Sequence, residues 1–305
     1  MSRALLATER ARASQHSRTA VLSGLLHTAR PRYWARNTLV AAAPLSNGAI
    51  QDPHVLAAVT VGFVAFCLSA TGGYFINDAR DAESDRKHPT KRARPVAAGV
   101  VSAPLAFAVG GTLIVAGIAF GGVFGGRNLA TVLGSYAAVS VAYSLYLKDQ
   151  PIIDLAVITC GFLLRTVAGS SVTGLPVSHW HLFVASFGAL FIAAGKRYSE
   201  AMVAGERESA TRPVLARYTL SYLRFVWGTS AAMTVVGYSL WAFEFNRSGD
   251  WVGLSVAPFA LVVLRYAFAV DSGTAGSPEE VIGCDRVIQV LGAVWLVQVM
   301  LAVAR

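Results

Sequence analysis

Long uncharged runs of mostly apolar residues alternate with short charged segments along the chain. The longest uncharged stretches are residues 56–77, 100–126, 128–147, 166–195, 225–243 and 287–304. Each is near or above the roughly 20 residues that an α-helix needs to cross the hydrocarbon core of a bilayer. Charged residues do not recur at every helical turn, as they do in the surface helices of soluble domains. The pattern therefore predicts an all-α integral membrane protein.

With shorter candidates added, the apolar pattern predicts nine transmembrane helices. The expected spans are 37–51, 55–77, 102–122, 128–147, 152–171, 181–196, 218–243, 251–270 and 287–304. The polar segments between them are too short to fold alone, so residues 27–305 are expected to form one polytopic catalytic domain. Residues 1–26 lack the apolar core of a signal peptide and are expected to form a disordered cytoplasmic tail. The stretch VLSGLLHTARPRYW, residues 21–34, also has the composition of a short helix at the membrane interface.

The distribution of charge adds an orientation to this picture. The 305 residues are 54% hydrophobic and 14% charged, with a net charge of +9. In a soluble protein that excess would suggest a nucleic-acid partner, but here twenty Lys and Arg side chains fall on one side of the predicted spans and three on the other. By the positive-inside rule, the N-terminus and the charged loops are expected in the cytoplasm and the C-terminus outside a plasma membrane. No nucleic-acid partner is expected.

The most concentrated chemistry lies in INDARDAESDRKHPTKRARP, residues 76–95. Asn77, Asp81 and Asp85 are spaced i, i+4 and i+8, and Asp78 lies seven residues before Asp85, so a continued helix would place these oxygen ligands on one broad face. Such a cluster repels itself unless a cation lies within it, and Mg²⁺ commonly takes one or two carboxylates together with substrate phosphates. The structural alternative is a solvated helix end whose acids pair with neighbouring bases.

The second half of this stretch is basic. Pro89 and Pro95 prevent a continuous helix, so Lys91, Arg92 and Arg94 are expected on a loop that can fold back toward the acidic face. Arg binds phosphate through two parallel hydrogen bonds, and Lys binds it as a point charge. Positive-inside topology alone would explain basic residues here, but not their position beside the acids. The two halves together predict a metal–diphosphate site.

These features resemble the UbiA superfamily of intramembrane prenyltransferases, which carry an N-D-x-x-D-x-x-x-D motif after the second of nine helices. The resemblance covers nearly the whole chain, and it implies a helical bundle whose central cavity is capped by cytoplasmic loops and uses Mg²⁺ to hold a diphosphate. Members usually carry a second Asp-rich motif after the sixth helix. Here that place holds AGKRYSE, in which Lys196 and Arg197 stand where aspartates are expected. The exchange indicates a pocket for additional phosphate.

Several blocks in the same order resemble one branch of the superfamily, the polyprenyl-phosphate phosphoribosyltransferases. They are RPRYWARNTLVAAAPL, NDARDAESDRKHPTKRARPVAAG, AGKRYSE, YLRFVW with LWAFE, and LRYAFAVD. The resemblance implies Mg²⁺-dependent transfer of 5-phosphoribose from phosphoribosyl diphosphate to a polyprenyl phosphate, which is decaprenyl phosphate in this branch. Diphosphate would be released, and the product would feed cell-wall arabinan synthesis.

Under this interpretation the candidate site residues fall into three groups. The catalytic candidates are Asp78, Asp81, Asp85, Lys196 and Arg197. The expected Mg²⁺ ligands are Asn77, Asp78, Asp81 and Asp85. The candidates for binding the phosphates or the ribose are Asn77, Lys91, Arg92, Arg94, Tyr143, Lys148, Arg165, Tyr198, Glu200, Arg224 and Arg265. An acceptor phosphate is already anionic at neutral pH, so no protein nucleophile is expected.

Several assignments have alternatives. Arg224 and Arg265 lie within helices and need an anion, which is either the lipid phosphate or a structural partner such as Asp154 or Asp271. Arg165 has either a substrate or a helix neighbour as its partner. For the chain as a whole, aromatic prenyl transfer to a quinone or haem precursor is the alternative, disfavoured by the missing second Asp motif. A transporter would be expected to show internal repeats, and no convincing repeat is found. Gly- and Ala-rich spans also permit a homo-oligomer.

Overall fold

The computed structural model describes residues 19–208, 214–244 and 251–303, and these residues form helices and connecting segments without a strand. The α-helices are α1 (19–29), α2 (Ala42–Ser46), α3 (Pro53–Lys87), α4 (Ala103–Ala142), α5 (Ile153–Thr173), α6 (His179–Glu208), α7 (Leu220–Glu244), α8 (Trp251–Asp271), α9 (Pro278–Cys284) and α10 (Arg286–Val303). Within the described ranges, α3, α4, α5 and α8 are long and apolar enough to cross a membrane, and the bent pair α9 and α10 would make a fifth span. The all-α prediction is confirmed.

Helix α3 runs ten residues beyond its predicted membrane span and so carries the whole acidic motif. It begins where the Asp52 side chain accepts a hydrogen bond of 2.8 Å from the His54 amide, with Pro53 at the first helical position, an arrangement that favours a helix start. It ends at Lys87, two residues before Pro89, which cannot continue a helix. The motif therefore lies on one continuous helix, as expected.

Helix α4 contains two of the predicted spans, and a break at Gly126 separates them. Gly126 has φ 85° and ψ 173°, a conformation that only glycine adopts without strain. Before the break, Gly110 lies against Gly72 of α3, and after it, Ser140 lies against Gly73. Because residues thirty positions apart contact neighbouring glycines of α3, the two arms of α4 lie side by side. Small residues at these contacts allow the backbones to approach closely, as in other membrane bundles.

The chain before α3 differs from the prediction. Instead of an α-helix over 37–51, Pro31–Ala41 forms a 3-10 helix, followed by the single turn of α2. The backbone of this 3-10 segment at Val40 presses against Gly169 of α5, where any side chain would collide with it. Residues 19–26, predicted as part of the tail, are helical in α1, which overlaps the short helix predicted over 21–34. Its Leu25 and Ala29 pack against a cluster formed by α3, the loop after it and the start of α4. The remainder of the predicted tail, residues 1–18, lies outside the described residues.

Two apolar cores lie side by side in the bundle. The amino-terminal core, which includes the fully buried Phe66 and Leu129, is formed by α3, α4, α5 and the 3-10 segment. The carboxy-terminal core, which includes Phe191 and the fully buried Leu223, is formed by α5, α6, α7 and α8, and α10 packs along α8. Helix α5 contributes to both cores and joins the two halves. The end of the bundle at which α3 finishes is called the motif end below.

Candidate active site

A polar cavity of about 1110 Å³ opens at the motif end. Five parts of the chain line it: Arg30 with the 3-10 segment Pro31–Ala41, the last turns of α3 with the loop after it, the start of α4, the end of α4 with the residues that follow it, and Lys196 of α6. Most of the titratable side chains of residues 77–94 face this space. The acidic and basic halves of the motif therefore meet around one cavity, as the sequence predicts.

Two aspartates of the motif lie deep in the wall and share one arginine. Asp78 and Asp85 are 2% and 4% exposed. The Arg94 Nη1 atom lies 2.7 Å from Asp85 Oδ2 and 3.4 Å from Asp78 Oδ1, and Arg30 contacts the same Asp78 oxygen at 2.5 Å. The loop after α3 thus folds back as Pro89 and Pro95 predict. A cation lies between two carboxylates that would otherwise repel each other.

The third aspartate, Asp81, faces the cavity from the middle of the motif. It forms an ion pair with Lys148, which follows a π-helical turn over Tyr143–Leu147 at the end of α4. Asn77 and Lys91 also line the cavity. We call the ion-paired residues around this space the cavity cluster, which consists of Arg30, Asp78, Asp81, Asp85, Arg94 and Lys148.

The donor chemistry of the motif fits Mg²⁺, although a complete site is not assembled. Among the described residues, no three acidic, histidine or cysteine side chains converge closely enough to hold a metal ion. Asn77, Asp81 and Asp85 nevertheless present hard oxygen donors to the cavity, which is the ligand type that Mg²⁺ takes. The Arg94 guanidinium between Asp78 and Asp85 occupies a position of negative potential, where a divalent cation would also be favoured.

Lys196 and Arg197 are adjacent in sequence but point in different directions. Lys196 lines the cavity. Arg197 is 3% exposed and turns away from it, with its Nε atom 2.9 Å from Asp154 Oδ2 and its Nη1 atom 3.0 Å from Glu200 Oε2. The Tyr218 hydroxyl donates a 2.5 Å hydrogen bond to the other oxygen of Asp154. Burial, reinforced by this bond to a carboxylate, raises the pKa of Tyr218.

These side chains form a second group of ion pairs behind the cavity wall. Tyr143 links the two groups, because it lines the cavity and its hydroxyl accepts a 3.4 Å hydrogen bond from Arg197 Nη2. We call this group the buried cluster, which consists of Tyr143, Asp154, Arg197, Glu200 and Tyr218. Asp154 and Tyr218 did not stand out in sequence, since a single acid at a helix start and a loop tyrosine are common.

The arginines predicted within helices lie away from the cavity lining. Arg165 is buried and donates to Asn37 Oδ1 at 2.7 Å, to a backbone carbonyl and to Tyr136. Arg224 contacts the Tyr198 hydroxyl at 2.6 Å and Asp271 at 3.4 Å.

Three other predicted ligands also lie outside the lining. Arg265 pairs with Asp285 at 2.9 Å. Arg92 is exposed on the loop after α3, and Tyr198 is buried beside Arg224. Arg165 has helix neighbours as partners and Arg224 has Asp271, as in the structural alternatives considered above, whereas the partner of Arg265 is Asp285 and neither Asp154 nor Asp271.

The 3-10 segment supplies cavity residues that sequence reasoning missed. Arg30, immediately before the segment, and Tyr33 and Arg36 within it line the cavity together with Tyr74 of α3. The rings of Tyr33 and Tyr74 meet edge to face at 5.9 Å, and the Arg36 guanidinium lies 4.6 Å from the centre of the Tyr33 ring. The signal was the run RPRYWAR, whose alternating arginines and aromatics precede the first predicted span. Its composition is also typical of a segment at the membrane interface, and nothing in the sequence connects it to residues 77–94.

Comparison of the sequence with known proteins identifies a family. The profile of the UbiA prenyltransferase family matches residues 37–283. A decaprenyl-phosphate phosphoribosyltransferase of Mycolicibacterium smegmatis is 45% identical over 290 residues, covering 90% of this chain and 91% of that protein. Proteins of the same name from Mycobacterium tuberculosis and Corynebacterium glutamicum are 44% and 42% identical, covering 93% and 92% of this chain and 95% and 86% of their own lengths.

Solved structures share the fold. A UbiA homologue from Archaeoglobus fulgidus, bound to GPP and Mg²⁺, superposes with a TM-score of 0.69 at 16% identity, covering 92% of this chain and 99% of the other. A UbiA homologue from Aeropyrum pernix gives 0.64 at 16% identity, covering 91% and 98%. The apolar helices and the shared fold describe a multi-pass membrane protein. The predicted resemblance is confirmed: the chain belongs to the UbiA prenyltransferase family.

Proposed function

We propose that this protein transfers 5-phosphoribose from phosphoribosyl diphosphate to decaprenyl phosphate and releases diphosphate. The observation that carries the proposal is the identity of 42–45% to three proteins named decaprenyl-phosphate phosphoribosyltransferase, across about nine tenths of the chain. The position of Lys196 in the cavity lining supports it, because a base there suits an additional phosphate. The product would serve cell-wall arabinan synthesis, in keeping with the name of these relatives.

The acidic motif is proposed to bind Mg²⁺ through Asn77, Asp81 and Asp85. The buried Asp78 would add a further negative charge behind these ligands. When bound, the ion would neutralise the leaving diphosphate of the donor. The bases around the same space would bind the remaining phosphate charge. They are Lys91, Arg94, Lys148 and Lys196, all of which line the cavity. Arg94 and Lys148, which pair with the aspartates, would then transfer their hydrogen bonds to the donor phosphates.

The chemistry requires little from the protein beyond charge and alignment. Displacement at the anomeric carbon has an oxocarbenium-like transition state, as in glycosyl transfer generally. The acceptor phosphate monoester has a second pKa of about 6 and is therefore mostly dianionic at neutral pH. It can attack without a protein nucleophile. Catalysis would consist of holding two repelling anions in line and neutralising the charge that develops on the leaving group.

The same proposal includes the arrangement in the membrane. Nine spans, a cavity capped by loops on the cytoplasmic side and an external C-terminus fit the excess of Lys and Arg on one side of the predicted spans. In this arrangement, both the soluble donor and the bilayer-borne acceptor would reach the motif end of the bundle. A homo-oligomer is compatible with the glycine-rich helix surfaces.

A donor comparison tests the function directly. Purified protein with Mg²⁺ and a polyprenyl phosphate is incubated with phosphoribosyl diphosphate labelled in the ribose, and label is measured in the lipid phase. The expected result is Mg²⁺-dependent transfer that chelation abolishes. A parallel assay with a labelled prenyl diphosphate and an aromatic acceptor tests the alternative prenyltransferase activity. Transfer in that assay, with none from phosphoribosyl diphosphate, would overturn the proposal.

A further inference from the structure

The helices of the bundle form a series whose two ends are not packed together. Following neighbours, the series runs from the 3-10 segment and α3 through α4, α5, α6, α7 and α8 to α10. Among the described residues, α8 and α10 make no extended contact with α3 or α4. The bundle therefore has an opening between its amino-terminal and carboxy-terminal halves, and the motif-end cavity lies beside the 3-10 segment at one edge of this opening.

One ion pair crosses the opening. Arg36 of the 3-10 segment donates from Nε to Glu279 Oε1 of α9 at 2.7 Å, and its Nη2 atom contacts the same oxygen. The two side chains are 31% and 30% exposed and are separated by 243 positions in sequence. Only Arg36 belongs to the described lining of the cavity. Glu279 therefore reaches the arginine from the other half of the bundle.

We propose that Arg36 is the residue that binds the phosphate of the polyprenyl phosphate acceptor, and that Glu279 is a stand-in anion which this phosphate displaces. The inference rests on the proposed function, because only that reaction brings a lipid phosphate to the site. A guanidinium that meets its partner carboxylate through one oxygen is well suited to a phosphate, which offers an acceptor to each of two parallel N–H donors. The lipid tail would then extend through the opening into the bilayer, where an apolar chain belongs.

The position of Arg36 separates it from the bases assigned to the donor. Arg94 and Lys148 contact the aspartates of the motif, so they lie where the donor diphosphate and its metal would bind. Arg36 instead packs on the Tyr33 ring at the edge of the same cavity. Arg224 and Arg265, the other candidates for the lipid phosphate, lie outside the lining and pair with Asp271 and Asp285.

The exchange of partners predicts effects of opposite sign for the two members of the pair. Arg36→Gln removes the phosphate ligand and should raise the KM for a polyprenyl phosphate about tenfold or more, the usual size of a lost charge-assisted contact. Glu279→Gln removes the competing anion and should lower that KM several-fold, since the lipid phosphate no longer has to displace a carboxylate from the Arg36 guanidinium. Neither variant should change the KM for phosphoribosyl diphosphate by more than about twofold, a shift within the scatter of surface substitutions.

The experiment measures both KM values for the full-length protein, together with direct binding of farnesyl phosphate as a short probe in the absence of donor. Glu280→Gln, on the next residue of α9, is the matched control and should change nothing. Inorganic phosphate should not compete at the concentration at which farnesyl phosphate does; equal competition would assign the site to free phosphate and overturn the lipid assignment. Arg36→Lys, which keeps the charge but not the fork, provides a second variant if Arg36→Gln does not fold.

Outcomes against this inference differ from outcomes against the proposed function. If both substitutions raise the acceptor KM, or lower thermal stability alike, the pair is a structural tie between the two halves and the inference is wrong. If the KM for phosphoribosyl diphosphate rises equally, Arg36 belongs to the donor site. If the wild-type protein transfers no ribose, the function itself fails, and farnesyl phosphate binding still reports whether Arg36 holds a lipid phosphate.

Discussion

Lys196 and Arg197 are neighbours in the chain and both approach Glu200, at 4.0 and 3.0 Å, yet Lys196 faces the space around which the cavity cluster lies and Arg197 belongs to the buried cluster. The cavity cluster surrounds an open space, and its cations contact the carboxylates; the carboxylates are proposed to hold a metal ion and the cations a diphosphate. The buried cluster is closed: Asp154 is fully buried and both of its oxygens are satisfied by Arg197 and Tyr218. The comparison teaches that access to the cavity, rather than residue type, separates groups that meet substrate from groups that hold the wall in place.

The largest expected effect is the loss of activity on replacing Asp81. Asp81→Asn removes a carboxylate that faces the cavity while keeping its shape, so transfer should fall by about 10³-fold, a typical result of deleting a preorganised electrostatic contact. The melting temperature should stay near that of the wild type, because the side chain is partly exposed. Ribose transfer and thermal unfolding in detergent measure the two quantities. Asp271→Asn, an ion-paired acid outside the cavity, is the control, and activity in Asp81→Asn near its level would remove the metal role.

In the buried cluster, the expected effect is on stability. Asp154→Ala removes the fully buried anion of Arg197 and leaves the partly exposed Glu200 as its acidic partner. Breaking a buried ion pair costs up to about 3–5 kcal/mol. Thermal unfolding and the yield of folded protein provide the measurement. A variant that melts like the wild type but binds phosphoribosyl diphosphate poorly would show that the buried cluster contacts substrate after all, and the distinction between the two clusters would fail.

A smaller loss of stability is expected from Tyr218→Phe. The substitution removes one hydrogen bond to a buried carboxylate, and hydrogen bonds to charged groups contribute about 1.5–3 kcal/mol. The KM for phosphoribosyl diphosphate should not change, since Tyr218 lies outside the cavity lining. Unfolding by heat together with steady-state kinetics tests this expectation. Tyr222→Phe, at the ring stacked on Tyr218, is the control for general effects on this loop.

The smallest change is expected at Lys196, and it should concern binding alone. Lys196→Met keeps the length of the side chain but removes its charge, which should raise the KM for phosphoribosyl diphosphate about tenfold with little effect on melting temperature. Arg197→Met, one position further on, should show the reverse pattern of lower stability and an unchanged KM among molecules that remain folded. Identical behaviour of the two variants would contradict the placement of Lys196 at the cavity and of Arg197 in the buried cluster.

The acidic motif was predictable from sequence because its geometry is local. A continued helix places Asn77, Asp81 and Asp85 on one face whatever the rest of the chain does, and α3 continues to Lys87. The return of the basic loop also followed from two prolines near in sequence. Direction within α6 was harder to predict: nothing local determines that Lys196 faces the cavity and Arg197 faces Asp154, because Asp154 lies 43 positions away.

The amino-terminal segment was predicted least well, for a physical reason. Helix propensity and hydropathy both favour an α-helix over 37–51, but contact with Gly169 of α5 and the hydrogen bond between Asn37 and Arg165 hold the backbone in a 3-10 conformation. These are tertiary contacts across more than a hundred positions. They bring Arg30 and Arg36 to the cavity, and no spacing rule connects those arginines to the acidic motif.

Because α4 breaks at Gly126, the thickness of the bilayer is expected to affect the geometry of the active site. The first arm of α4, residues 103–125, is about 35 Å long at the rise of an α-helix, somewhat longer than a hydrocarbon core of about 30 Å. An arm of that length must tilt to fit, and a thinner membrane requires more tilt. The second arm is joined to the first at the turn and ends just before Lys148, the partner of Asp81. Lipid composition is therefore expected to adjust the distance between Lys148 and Asp81, the base and the acid that are proposed to bind the donor and its metal ion.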